Sequence, residues 1–253
     1  MRALFHREPR AVPALNPVHA DVPEVRDAEL AAVYYGRRIA GDFYDFIRVS
    51  PDRVLFGLLD AAGGLQETRA IVSAAQHTFR TVGSDLLGGQ DINETDAMTE
   101  LCLQLNQAVL KTAEGVCACP AFAGCYNENL GVVSYFNAGH TPGLLRDHTG
   151  VSELSATGLP LGLFSHVTVD AAMVALEPGA VLLLSSRGIV EAKRKAEEFG
   201  LQRVEEVLQQ SQAGNATGLC LAVLNQVQQF MGTAPTHNDV TTLALARSSA
   251  DNH

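Results

Sequence analysis

The order of apolar and polar segments predicts an α+β layered sandwich, not an alternating parallel α/β fold. Strand-like segments gather in the middle of the chain, and helix-like segments fall into two groups, at 66–113 and 196–231. The 253 residues are 47% hydrophobic and 18% charged. That composition supports a sizeable core in one large domain, or at most two small ones, and excludes wholesale disorder.

Residues 1–28 hold four prolines and no periodicity, and read as an irregular N-terminal arm before a domain at 29–248 and a tail at 249–253. Strands are expected at 30–36, 43–49 and 54–60. The last is a short apolar run, Val54 to Leu59, ending at Asp60, which is the pattern of a buried strand with an acid at its mouth. A helix is expected at 66–82 and a second at 94–113, where Met98, Leu101, Leu105 and Val109 recur at helical spacing. Asn93 is placed to cap its start, and Gly115 lies just past its end. Strands come next at 118–126, 131–138 and 142–147, with Tyr126 to Gly131 as a hairpin connection. Further strands are expected at 166–175 and 180–186, helices at 196–210 and 217–231, and a last strand at 239–246.

The net charge of -10, with no basic stripe, argues against nucleic acid as the main partner. No apolar run reaches the length of a membrane span, and Met1 to Arg10 lacks the form of a signal peptide. The five cysteines without paired C-x-x-C motifs fit reduced thiols in the cytoplasm. Cys117 and Cys119 form a C-x-C that permits a metal site, although two small residues in a sheet is the favoured reading. Ser185 and Ser186 lack a nucleophile elbow. Gly63-Gly64 and Gly88-Gly89 lack the Lys-Ser/Thr of a phosphate loop and read as turns.

Three acids fall at strand edges: Asp42, Asp60 and Asp239. Carboxylates so placed can converge on a hard cation, although singly each is more often a turn or capping residue. Around them lies an ordered set of motifs: Gly41-Asp42-Phe43-Tyr44-Asp45, Leu59-Asp60-Ala61-Ala62-Gly63, Asn137-Ala138-Gly139-His140 with Pro142, Gly158-Leu159-Pro160-Leu161-Gly162, Gly188 to Ala192 with Glu198-Phe199-Gly200, and Asn238-Asp239-Val240-Thr241. Their order and gaps over residues 30–247 resemble the SpoIIE-like branch of the metal-dependent, PPM-type protein serine/threonine phosphatases. The resemblance implies a four-layer α-β-β-α sandwich with two central, mainly antiparallel sheets and two Mn²⁺ or Mg²⁺ ions at one end. In that chemistry a metal-activated water attacks phosphorus and no side chain does. Asp42 is then one ligand, Asp60 bridges both metals, and the Ala61 carbonyl holds the first. Asn238 and Asp239 stand at the fourth acidic motif. His140 belongs to a sheet-and-turn element and reads as structural.

The chain also departs from the pattern. Ser186-Arg187-Gly188 stands where the family has Thr-Asp-Gly, and Asn238 replaces an Asp. Arg cannot lose its proton and cannot ligate a cation, and Asn offers only a neutral oxygen. Ala40 replaces a Gly, Ala62 a Ser, and the Gly64-Leu65 region a Lys. Arg187 is then expected either to stand in for a metal by pairing with Asp42 and Asp60, or by binding phosphate, or to turn out to solvent. Two functions are open. One is a phosphatase acting on a phosphorylated regulatory protein, of the anti-sigma partner-switching type in that family. The other is a silenced pseudophosphatase that binds a phosphoprotein or partner, which Arg187 and Asn238 favour. With no sensor domain in the sequence, regulation is expected to come from partners, a dimer contact or expression.

Overall fold

A strand that is apolar on both faces must be covered on both, and this chain builds its centre from such strands. The computed structural model describes residues 18–19, 22–35, 41–61, 65–113, 115, 117–166, 168–211, 215–232 and 238–249. The elements begin with β1 (Val18–His19), β2 (Ala28–Tyr35), β3 (Gly41–Ser50), β4 (Arg53–Ala61), α1 (Leu65–Leu87) and α2 (Glu94–Thr112). They continue with β5 (Ala121–Asn127), β6 (Val132–Ala138), β7 (Gly143–Asp147), β8 (Gly150–Leu154), β9 (Ala172–Ala175) and β10 (Val181–Ser185). The last are α3 (Arg187–Val190), β11 (Lys193–Arg194), β12 (Glu197–Glu198), α4 (Gly200–Gln210), α5 (Ala216–Met231) and β13 (Val240–Arg247).

One sheet has six strands in the order β1-β2-β13-β10-β7-β8, and the other has five in the order β3-β4-β5-β6-β9. Their strand pairings are antiparallel. Strand β4 is buried along its whole length, and its alternation shows why. Leu55 and Leu59 pack with Ile71, Phe79, Met98 and Leu101 of α1 and α2. Val54, Phe56 and Leu58 point the other way, into a core between the sheets with Leu182, Leu184, Leu243 and Leu245. On the far side Leu183, Val223, Leu224 and Val227 join the six-stranded sheet to α5, and Val204 and Leu208 add α4. The result is the α-β-β-α sandwich expected. Among the described residues no helix is long and apolar enough to cross a membrane.

The register of β3 on β4 sets the charge pattern at one end of the sandwich. Gly41 to Arg48 pair in step with Ala61 to Val54, and the register shifts between Arg48 and Ser50. Asp42 therefore lies directly opposite Asp60. Asn93 caps α2, its side chain accepting from the backbone of Thr95 and Asp96. The helix closes on Ala113, two residues before Gly115.

Some elements differ from expectation. Among the described residues of the segment 166–175 only Ala172–Ala175 is strand, and just before it the Ala171 N–H donates to the Thr99 hydroxyl of α2 instead of to a ladder. The helix expected from 196 starts at Gly200, since Glu197 and Glu198 pair back onto Arg194 and Lys193 as a charged hairpin. The exposed β8 and the four-residue α3 are too short to leave a period. Val18–His19, within the segment read as an arm, pairs with β2. The rest of 1–17, with Ala40, Ala62, Gly63 and Gly64, lies outside the described residues.

Two signature glycines are close-packing points. A Cβ on Gly188 would stand 1.9 Å from the Asp239 carbonyl. Gly139 has φ +67, and a Cβ there would meet Pro160 at 2.5 Å, so the segments holding His140 and Pro160 are locked together. Gly139→Ala is expected to cost about 1–2 kcal/mol for the left-handed backbone and about 1–3 kcal/mol more for the clash. Gly179→Ala, at φ +83 with only Ser249 within 4 Å, should show the first cost alone. Urea titration of both variants measures the difference.

Candidate active site

The alternation of each strand decides which side chains enter the gap between the sheets. Phe46 and Leu58 lie in the inter-sheet core, so Asp42 and Asp60, at even spacing from them, face the same gap at its open end. From the other sheet Leu184 and Leu243 point inward, which brings Ser186, Asp239 and Thr241 to the same end. The two loops there are tied together. The Ser186 N–H donates to the Thr241 carbonyl at 2.9 Å, and the Thr241 N–H donates to the Ser186 hydroxyl at 3.0 Å.

The acids find different partners. Asp60 is 4% exposed, and its backbone N–H donates to the Pro120 carbonyl at 2.9 Å. Arg187 places Nη2 3.4 Å from Asp60 Oδ1 and Nε 3.2 Å from Oδ2. The Nε contact is an ion pair without hydrogen-bond alignment. Glu191 lies 4.0 Å from the same Nε. Asp42, partly buried, accepts the Thr241 hydroxyl at 2.8 Å. Arg187 thus meets Asp60 but forms no ion pair with Asp42. Asp239 is buried, and Asn238 adjoins it beside Gly188.

Burial, and then the charge of Asp60, push the Asp42 carboxyl up to about 8. Burial also raises Asp60, with the Arg187 guanidinium opposing it. Two facing carboxylates are therefore reconciled in two ways: a proton on Asp42 at neutral pH, and a guanidinium on Asp60. His140 is buried, and its backbone N–H donates to the Asn137 side chain at 2.8 Å. Burial pulls its imidazole down to about 4. Asn137 also donates to the Leu154 carbonyl, so this motif stitches strands together, as its sequence suggested.

Two divalent cations need many oxygen donors. Among the described residues no three His, Cys, Asp or Glu side chains gather closely enough to hold an ion. The guanidinium already occupies the Asp60 carboxylate. These residues do not fit a dinuclear metal centre.

The two stacked antiparallel sheets, helical outer layers and acids at one end define the PPM-type phosphatase class. The model of the family described as "Stage II sporulation protein E (SpoIIE)" matches residues 50–248, and the chain belongs to that family. The solved structure of RsbX in complex with magnesium has the same fold, with TM-score 0.63 and 13% identity, covering 92% of this chain and 100% of that one. Protein IcfG of Synechocystis is 23% identical over 90% of this chain and 39% of its own length. Phosphoserine phosphatase RsbU of Bacillus subtilis is 24% identical over 89% of this chain and 65% of its own length. The chain thus spans less than two thirds of these relatives. In structure it is similar to the RsbU and RsbW domains of Rv1364c from Mycobacterium tuberculosis, with TM-score 0.74 and 22% identity, covering 91% of this chain and 64% of that one.

Sequence reasoning missed Thr241 and Ser186 as partners of the acids. The signal was present: in Asn238-Asp239-Val240-Thr241, period two puts Thr241 on the face of Asp239.

Two measurements probe this balance. Asp42 holds its proton more tightly folded than unfolded, where its value is near 4. Its stabilisation is therefore complete below about pH 4 and lost as pH rises towards 8. Asp42→Asn, which keeps the neutral shape, should match the parent at about pH 3. At pH 8 it should exceed the parent by at least about 1 kcal/mol, or about 2–4 °C in melting temperature. Arg187→Ala should cost about 1–2 kcal/mol at pH 7, below the 3–5 of a fully buried pair because the guanidinium is 42% exposed. The loss should vanish in an Asp60→Asn background, as a double-mutant cycle will read.

Proposed function

We propose that this chain is a catalytically silenced phosphatase-fold module of cytoplasmic phosphoprotein signalling, which binds a phosphorylated regulatory protein or its partner without turnover. The observation that carries the reading is the Arg187 guanidinium resting on Asp60, the acid that the family pattern uses to bridge two metals. Asn238 in place of an acid weakens the same region. Arg187 also suits the proposed ligand. Its side chain is 42% exposed, and a guanidinium gives phosphate oxygens charge-assisted hydrogen bonds. All five cysteines are thiols, which fits a reducing compartment.

The competing reading is an active protein serine/threonine phosphatase using one Mn²⁺ or Mg²⁺ through Asp60 and the Ala61 carbonyl, with Asp42, Asn238 and Asp239 as further candidates. The likeness to a phosphoserine phosphatase favours it. Calorimetry with Mn²⁺ and hydrolysis of p-nitrophenyl phosphate separate the two. The silenced reading expects no Mn²⁺ binding tighter than millimolar and no metal-dependent turnover. The double variant Arg187→Asp with Asn238→Asp should gain both, at least tenfold in each. Parent turnover that rises with Mn²⁺ and is abolished by Asp60→Asn would establish the active phosphatase.

A further inference from the structure

Cys117 and Cys119 lie just before β5, on the approach to Asp60, with their sulfurs 3.5 Å apart. They differ as an attacking and a resolving thiol must. Cys117 is partly exposed and Cys119 is fully enclosed. The other three, Cys102, Cys125 and Cys220, are buried. Residues 117 and 118 lie outside any strand, so a rotation that closes the sulfurs falls on irregular backbone. Beyond them the chain is pinned. The Cys119 N–H donates to the Leu161 carbonyl at 2.8 Å, and the Leu161 N–H donates back to the Cys119 carbonyl at 3.0 Å. The next carbonyl, that of Pro120, accepts the Asp60 N–H.

We propose that Cys117 and Cys119 form a reversible dithiol–disulfide switch, oxidised by small-molecule disulfides, whose closure reaches Asp60 through the Pro120 carbonyl. The Cys117 thiolate attacks one sulfur of the small disulfide. The S–S bond breaks, a mixed disulfide forms on Cys117, and one small thiolate leaves. Cys119 then attacks the Cys117 sulfur and expels the second small thiolate, which takes the Cys119 proton as it leaves. Two protein thiols lose two electrons in all, and the small disulfide becomes two thiols. A bond spanning one intervening residue is strained and therefore readily reduced. Burial raises the Cys119 thiol, which keeps it protonated until the mixed disulfide on Cys117 stands beside it.

The test treats the folded full chain with oxidised glutathione, then uses intact mass, peptide mapping and amide hydrogen exchange. The expected product has lost two of its five thiols, carries the bond between Cys117 and Cys119, retains no glutathione, and reverts with dithiothreitol. Cys119→Ser should stop at a glutathione adduct on Cys117, and Cys117→Ser should not react. Exchange at the Asp60 amide should quicken about tenfold in the oxidised chain. A parent that ends as a glutathione adduct, a bond at Cys102, Cys125 or Cys220, or a disulfide-linked dimer would overturn the switch. A correct bond with unchanged Asp60 exchange would overturn its coupling to the site. Mapping on the parent decides the bond even if a serine variant misfolds.

Discussion

Asp42 and Asp60 face each other across an antiparallel pair, and like charges so placed repel. The Arg187 and Thr241 contacts at that end of the sandwich answer this constraint. A protein with cations in the gap can leave both acids ionised. Among the described residues Arg187 is the cation that pairs with this couple, and it reaches Asp60 alone. The other is left to burial, the Thr241 hydroxyl and a proton. The division is asymmetric because the two acids sit differently. Asp60 looks towards the Ser186–Arg187 loop, whereas Asp42 lies under β13.

The signature residues that persist in this chain hold backbone against backbone. Asn137 makes three hydrogen bonds through one side chain, to His140, Thr141 and Leu154, and Gly188 lets the Ser186–Arg187 loop touch the Asp239 backbone. Arg187, which stands where the family pattern has an Asp, lays its guanidinium on Asp60. Packing demands act on every copy of a fold, whereas a cation site can be exchanged for an ion pair at small cost if the charge balance is kept.

Much of the fold was legible because long amphipathic helices and doubly buried strands leave strong periods. The helix α2, with its Asn93 cap, and β4, ending at Asp60, are the clearest cases. What escaped was short or decided by distant partners: α3 is one turn long, and the segment before β9 gives an N–H to Thr99, which no local pattern reveals. The candidate site was legible as a set of acids and one intruding arginine. Its arrangement was not. Whether Arg187 meets Asp42, Asp60 or both depends on how two loops from different strands abut, and that is a matter of tertiary geometry. The nearness of Cys119 to Asp60 is likewise set by the pairing of β4 with β5, 59 positions apart in the sequence.

The register shift between Arg48 and Ser50 lies at the opposite end of the β3–β4 hairpin from the acids. Val49 is the residue it leaves unpaired. Were Val49 drawn into the ladder opposite Val54, Asp42 would stand across from Ala61 and Asp60 across from Phe43. The two carboxylates would then emerge on opposite faces of the sheet. The electrostatic character of the gap is thus indexed by a bulge about 20–25 Å away along the strand. Straightening it would rewire the charge pattern of the site without altering any residue that lines it.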